Sequence, residues 1–302
     1  MQKPTRLERR IDDAAKRTLR RTPRTGWRAG LVEAAVFLAK QAWACVFGAL
    51  LLTVIVAARV WYPDDALIAR NDALTIAAVL IQAGMIAGGL ETRRELWVIV
   101  LFHLTGTAME VFKTGVGSWM YDSGGVLHIA GVPLFSGFMY AAVGSYMVRV
   151  YRLFDIRFTR YPSVWATGVL AAAIYANFFL HHFWWDARWM LLLGVVAVWA
   201  PTMMHARVWR SRMRLPLLAA FAGVSAVIYV AENVGTWAGA WLYPNQVDGW
   251  EPVSVSKLSS WFLLMIISVV LVTIVYPPRR PHPAPSRTAV RARARPAGGA
   301  AS

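Results

Sequence analysis

The chain has a single cysteine, Cys45, in 302 residues, so no intrachain disulfide can form. It is also short of acid, with 16 Asp and Glu against 32 Lys and Arg and a formal net charge of +16. Charged residues of both signs make up only 16% of the sequence, too few to cover a water-soluble fold of this length. The apolar segments do not alternate in polarity as barrel strands would, which excludes a β-barrel membrane protein. No tight metal-binding spacing of the His-Glu-x-x-His kind occurs. No cleavable signal is expected either, because roughly forty polar and basic residues precede the first apolar run, which reads as an uncleaved anchor.

What the chain does have is apolar sequence in long runs. Hydrophobic residues make up 57% of it and the mean hydropathy is +0.45. A helix needs roughly 20 apolar residues to cross a bilayer core. Runs near 42–61, 72–90, 95–112, 128–148, 163–183, 189–206, 216–238 and 257–276 predict eight spans in an all-α membrane protein. The third is the least uniform, because Glu110 and Lys113 sit at its outer end.

Charge then orients the spans. If both termini are cytoplasmic, 27 of the 32 Lys and Arg fall in inner segments, leaving Arg59, Arg70, Lys113, Arg188 and Lys257 outside. Positive residues are retained on the cytoplasmic side, so this split predicts an N-in, C-in protein of the cell (inner, cytoplasmic) membrane. The net charge of +16 is thereby a matter of topology, and nucleic acid is not an expected partner. The expected partners are the bilayer and, through the basic termini, anionic lipid head groups. Leu7, Ile11, Ala15 and Leu19 predict a surface-lying amphipathic helix within residues 1–30. The Pro-, Ala- and Arg-rich tail over 277–302 predicts disorder.

An internal match divides what lies between. Residues 110–121 and 232–243 both read Glu, six residues, Gly, one residue, Trp, one residue, Tyr, at an offset of 122. The same offset carries the first four apolar runs onto the last four. Motif and spacing together predict two parallel four-helix repeats, over 31–150 and 151–276. The paired positions are Glu110 and Glu232, Gly117 and Gly239, Trp119 and Trp241, Tyr121 and Tyr243.

The motif admits two readings. Trp and Tyr favour membrane interfaces, Gly ends helices, and a Glu at a helix end can hold a tight loop by accepting its hydrogen bonds. Alternatively, an ionisable group costs roughly 2.5–3.5 kcal/mol at the centre of a membrane helix, less near an interface, so a membrane glutamate usually has a task. Under the second reading Glu110 and Glu232 are candidate acid–base groups, with His103 two turns before Glu110 and with Tyr121 and Tyr243 beside them. Trp119 and Trp241 could stabilise a carbocation through cation–π attraction, and Asn233 and Asn177 are candidate substrate-binding groups. His128, His181, His182 and Asp186 gather at the outer ends of their spans and could take a divalent metal, the one cofactor suggested. Pro133 and Pro201 read as helix kinks or starts, and Gly84, Gly88 and Gly89 as a close-packing face. Three functions stay open: a membrane-embedded enzyme acting on an isoprenoid or other lipid, a small-solute transporter or channel, and a non-catalytic membrane partner protein.

Residues 38–48, 106–146 and 229–250 resemble a bacterial family of integral membrane proteins labelled domain of unknown function 817 (DUF817), over about residues 31–276. That resemblance implies a multi-span membrane protein and brings no activity, cofactor or catalytic residue. A fainter likeness is to the membrane lycopene cyclases and carotenoid hydratases, carried by Glu110, Gly117, Trp119, Tyr121 and Val132-Pro133-Leu134. The cyclases place a carboxylate after that proline, where this chain has Leu134, Phe135 and Ser136.

Overall fold

The computed structural model describes residues 25–281 throughout, with Thr5, Arg9, Arg10, Asp13, Lys16 and Arg17 before them. The amphipathic helix expected on Leu7, Ile11, Ala15 and Leu19 lies outside the described residues, as do residues 282–302 of the tail. The described part is mostly helical: α1 (Trp27–Ala44), α2 (Val46–Trp61), α3 (Arg70–Ala87), α4 (Arg93–Gly115), α5 (Phe135–Leu153), α6 (Val164–Leu180), α7 (Arg188–Trp199), α8 (Leu217–Trp237) and α9 (Lys257–Val275). By length and composition, α4, α8 and α9 could each cross a membrane. A fourth crossing results if α1 and α2, bent by 65° at Cys45, count as one broken span. α6 and α7 are apolar but shorter.

Exposed tryptophans sit near helix ends: Trp61 closes α2, Trp184 and Trp185 lie between α6 and α7, Trp189 begins α7, and Trp97 and Trp165 lie near the starts of α4 and α6, each 63% or more exposed. Tryptophan at helix ends is a common feature of membrane interfaces.

Several elements depart from the apolar pattern. α7 stops at Trp199, and the run expected to continue to 206 enters a strand. β4 (Met203–Arg207) pairs on either side with β3 (Arg157–Thr159) and β5 (Arg212–Pro216) in an antiparallel sheet. The reason is visible in β5, where exposed Arg212, Arg214 and Pro216 alternate with half-buried Met213 and Leu215, the two-residue period of a strand. The run expected from 128 begins instead as a hairpin, with β1 (His128–Ile129) paired to β2 (Val132–Pro133). Ala130 and Gly131, both at positive φ, supply its two-residue turn, and Pro133 ends a strand rather than kinking a helix.

The glycines also redistribute. A Cβ on Gly84 or Gly89 would meet nothing, and Gly88 caps α3, so this stretch ends a helix rather than packing one. Close packing occurs between α4 and α5, where Gly106 lies against Tyr140, Gly137 against His103 and Gly144 against Phe102.

Part of the basic charge is structural. Arg149 and Arg152, counted above with an inner loop, are buried within α5. Arg152 pairs with Glu95, and Arg149 reaches Glu91 at 3.5 Å. Glu91 also accepts from Ser145 at 3.0 Å and from Gln82 at 2.5 Å, and a Thr92–Glu95 capping box starts α4. Buried charges of this kind require partners, and here acids and bases meet on adjacent helices.

Candidate functional site

The two motif segments end their helices in the same way. Gly117 and Gly239 take positive φ (72° and 67°) just beyond the caps of α4 and α8. Ser118 N–H returns to Lys113 O and Ala240 N–H to Gly235 O, closing a Schellman turn at each helix. The chains leaving these turns then meet. Met120 and Leu242 exchange both backbone hydrogen bonds at 2.9 Å, so the two motifs form one small antiparallel bridge. Arg70, at the start of α3, donates to the carbonyls of Ala238 (2.6 Å) and Gly239 (3.0 Å), occupying acceptors that the end of α8 leaves open.

Each buried glutamate faces back into its own turn. Glu110, 3% exposed, accepts from Trp119 Nε1 (2.7 Å), Tyr121 OH (2.8 Å) and Tyr140 OH (2.7 Å). Glu232, 4% exposed, accepts from Tyr243 OH (2.5 Å) on one oxygen and Trp261 Nε1 (2.6 Å) on the other. Burial, reinforced by the neighbouring carboxylate, pushes the Tyr121 and Tyr243 phenols well above their ordinary range, so both remain proton donors at neutral pH. Trp119 and Tyr243 meet edge to face at 6.1 Å, linking the two carboxylate nests.

The two nests differ in spare capacity. A carboxylate offers about four acceptor positions. Glu110 has three filled by groups fixed on α5 and on its own turn, and so acts as a clamp. Glu232 has one donor on each oxygen and retains room for another.

Both glutamates line a cavity of about 1100 Å³ enclosed mainly by α2, α5, α8 and α9. This lies at or above the upper end of the roughly 300–1,000 Å³ usual for small-molecule sites. Leu51, Met139, Val224 and Leu264 are typical of its walls, and Phe158, Met204, Met213 and Leu215 of the sheet region close its far end. Polar groups concentrate at the motif end, where Lys113, Ser118, His181, Arg188 and Lys257 join Glu110 and Glu232.

The other sequence-derived candidates separate. Trp241 packs across Gly235 and also lines the cavity, but its place beside Glu232 is taken by Trp261. His103 packs against Gly137 and the Phe138 ring on α5, with centroids 5.0 Å apart, and does not line the cavity. Asn233 holds a loop, accepting from Val253 N–H at 2.9 Å and donating to Tyr229 O at 2.8 Å. Asn177 and Asp186 build the turn between α6 and α7: Asn177 Nδ2 donates to Asp186 at 3.0 Å, and Ala187 N–H to Asn177 Oδ1 at 3.0 Å.

Among the described residues no three His, Cys, Asp or Glu side chains gather as a metal site. His128 lies exposed on the β1–β2 hairpin. His181 and His182 turn their Nε2 atoms to the Lys113 ammonium, at 3.4 and 2.8 Å, and a cation there opposes a bound metal ion.

Tyr140, Trp261, Lys257 and Arg70 were absent from the sequence-derived set. A signal existed for the first two: Trp261 less the 122-residue offset falls on Met139, one position from Tyr140. The equivalent donors are thus displaced by one residue and differ in type.

Comparison with known proteins places these features in a family context. The family model described as protein of unknown function (DUF817) matches residues 33–269. The uncharacterized protein YoaT of Bacillus subtilis (strain 168) is 48% identical over 203 residues, 67% of this chain and 77% of YoaT. Among solved structures, a cross-linked MvINS trimer aligns with a TM-score of 0.45 and 12% identity, covering 63% of this chain and 98% of that one.

Proposed function

The chain belongs to the DUF817 family, and from its own residues we propose that it is a multi-pass protein of the bacterial cytoplasmic membrane whose central cavity takes an isoprenoid or other long-chain lipid. In this reading eight spans form two parallel four-helix halves, with both termini and the β3–β5 sheet on the cytoplasmic side. The 27-to-5 distribution of basic residues, the matched motifs and the exposed tryptophans near helix ends support it. α7 reaches only about 18 Å by helical rise. Beyond it β4 carries the chain to the cytoplasmic side, its polar backbone satisfied within the sheet.

The chemistry proposed is proton transfer at Glu232. The Glu232 carboxyl group delivers a proton to one carbon of an alkene in the bound chain. The resulting carbocation loses a proton from a neighbouring carbon back to the Glu232 carboxylate, which isomerises the double bond with no co-reactant. Trp119, Trp241 and Trp261 line the cavity, and their aromatic rings can stabilise such a cation. Glu110, with three acceptor positions filled, holds the walls of the site in place. The observation that carries the proposal is a long apolar cavity with an incompletely hydrogen-bonded carboxylate on its wall. Incubating the purified protein with membrane lipid in D2O tests it, since turnover places deuterium on lipid carbon. Wild-type protein should label a lipid and Glu232→Gln should not; no labelling by wild-type protein overturns the enzymatic reading.

One observation favours a carrier instead. The 65° break between α1 and α2 falls at Cys45, which lines the cavity, and broken helices are a feature of transporters. Proton-gradient-driven uptake into proteoliposomes that depends on Glu232 would support that alternative.

A further inference from the structure

We propose that the cavity's occupant carries a phosphate head, bound at the motif end by Lys113, Lys257 and Arg188, with its chain along the apolar wall. This rests on the cavity reading above and narrows its ligand to an anionic amphiphile. Lys113 is 4% exposed and its ammonium meets the two histidine rings and, at 5.8 Å, the Phe178 ring, with Ser118 Oγ 3.3 Å from His182 Nε2 beside it. Lys257 lies over the rings of Tyr243 (4.2 Å) and Trp119 (5.6 Å). Neither lysine has a carboxylate within ion-pair distance among the described residues. Arg188 meets Asp186 at 3.3 Å and Ser259 at 3.5 Å, which leaves it the one cation of the three with a counter-ion.

Three cations close enough to repel one another in a low-dielectric pocket are costly unless an anion joins them. Glu110 and Glu232 turn their oxygens to Trp and Tyr donors, so the attraction of Glu232 for Lys257 is made without a hydrogen bond between them and offsets only one of the three charges. All three cations line the cavity, as do His181, Ser118 and Ser260, so the charged mouth and the apolar interior form one continuous space. Three separate cationic donors suit the three oxygens of a phosphate monoester better than the two of a carboxylate. The apolar length beyond requires a tail. Lipid phosphate and free phosphate share this head chemistry, and only the tail separates them.

The test uses the full chain in neutral detergent, with melting temperature read against added didecanoyl phosphatidic acid, inorganic phosphate or didecanoylglycerol. The lipid phosphate should stabilise the protein, and inorganic phosphate and the neutral diglyceride should do so at least tenfold less potently. Lys113→Gln/Lys257→Gln should weaken the lipid phosphate at least tenfold while leaving the diglyceride unchanged; Lys257→Arg, which keeps the charge, should retain it. Equal potency of diglyceride and lipid phosphate overturns the phosphate head but leaves the lipid cavity standing. Stabilisation by inorganic phosphate alone overturns the amphiphile. Absence of any shift with all three overturns both readings.

Discussion

Replacing Glu110 by alanine removes the acceptor for three buried donors at once: the Trp119 indole and the Tyr121 and Tyr140 hydroxyls. A buried donor left without a partner costs about 1–3 kcal/mol. Three such groups amount to roughly 3 kcal/mol or more, even if water from the cavity satisfies some of them. Glutamine should behave differently. Its carbonyl oxygen can accept from Trp119 and Tyr121, while its amide can donate to Tyr140, whose hydroxyl reverses its role. Only the charge assistance is then lost, on the order of 1–2 kcal/mol. For a chain of this size, 1 kcal/mol corresponds to roughly 2–4 °C in melting temperature. Glu110→Ala should therefore unfold in detergent at least about 6 °C below wild type, and Glu110→Gln about 2–8 °C below wild type and above the alanine variant. Heating aliquots and measuring the monodisperse fraction by fluorescence-detected gel filtration reads this directly. An alanine variant as stable as wild type, or a glutamine variant as unstable as the alanine one, would refute the view that Glu110 is an acceptor clamp.

Four further outcomes follow from the same geometry. Gly106→Ala places a methyl 2.3 Å from Tyr140 Cγ, and the resulting overpacking should cost about 1–3 kcal/mol and displace the Tyr140 hydroxyl from Glu110, both readable as a lowered melting temperature. Gly117→Val and Gly239→Val force a β-branched residue into the left-handed turn that brings the motifs together, and each should lower stability by at least about 1 kcal/mol in the same assay. Arg152→Met leaves Glu95 buried without its partner and should cost about 3–5 kcal/mol, whereas Arg152→Met/Glu95→Met should recover much of the loss. Arg70→Ala frees the Ala238 and Gly239 carbonyls and should increase backbone hydrogen exchange at the end of α8 without changing exchange in the sheet.

The helices were legible because a lipid-facing helix needs only apolar length, and length is local. α4, α8 and α9 lie within a few residues of the bounds the apolar runs imply. The site was legible in outline for a similar reason: a glutamate, a left-handed glycine and two aromatics at fixed spacing make one turn of chain. What was misread depends on longer-range partners. Met203–Arg207 is apolar enough to extend a helix, yet it becomes a strand because β3 and β5 stand on either side of it. Asn177, Asn233 and Asp186 are polar groups in apolar company, a pattern that fits a binding site and a loop fastening equally well. In the structure they hydrogen-bond to Ala187, Val253 and Arg188 and so fasten loops, contacts that only the packed chain brings about.

The order of residues by itself determined an apolar helical chain with asymmetric basic charge and a motif written twice, because composition, period and spacing act within a segment. Only the tertiary structure decided that the two motifs pair through Met120 and Leu242, that Glu110 holds three donors and Glu232 two, and that Lys113 and Lys257 line an apolar cavity. A donor's effect on a carboxylate depends on distance through space, and residues as far apart in the chain as Lys113 and Lys257 acquire that distance only when the helices pack.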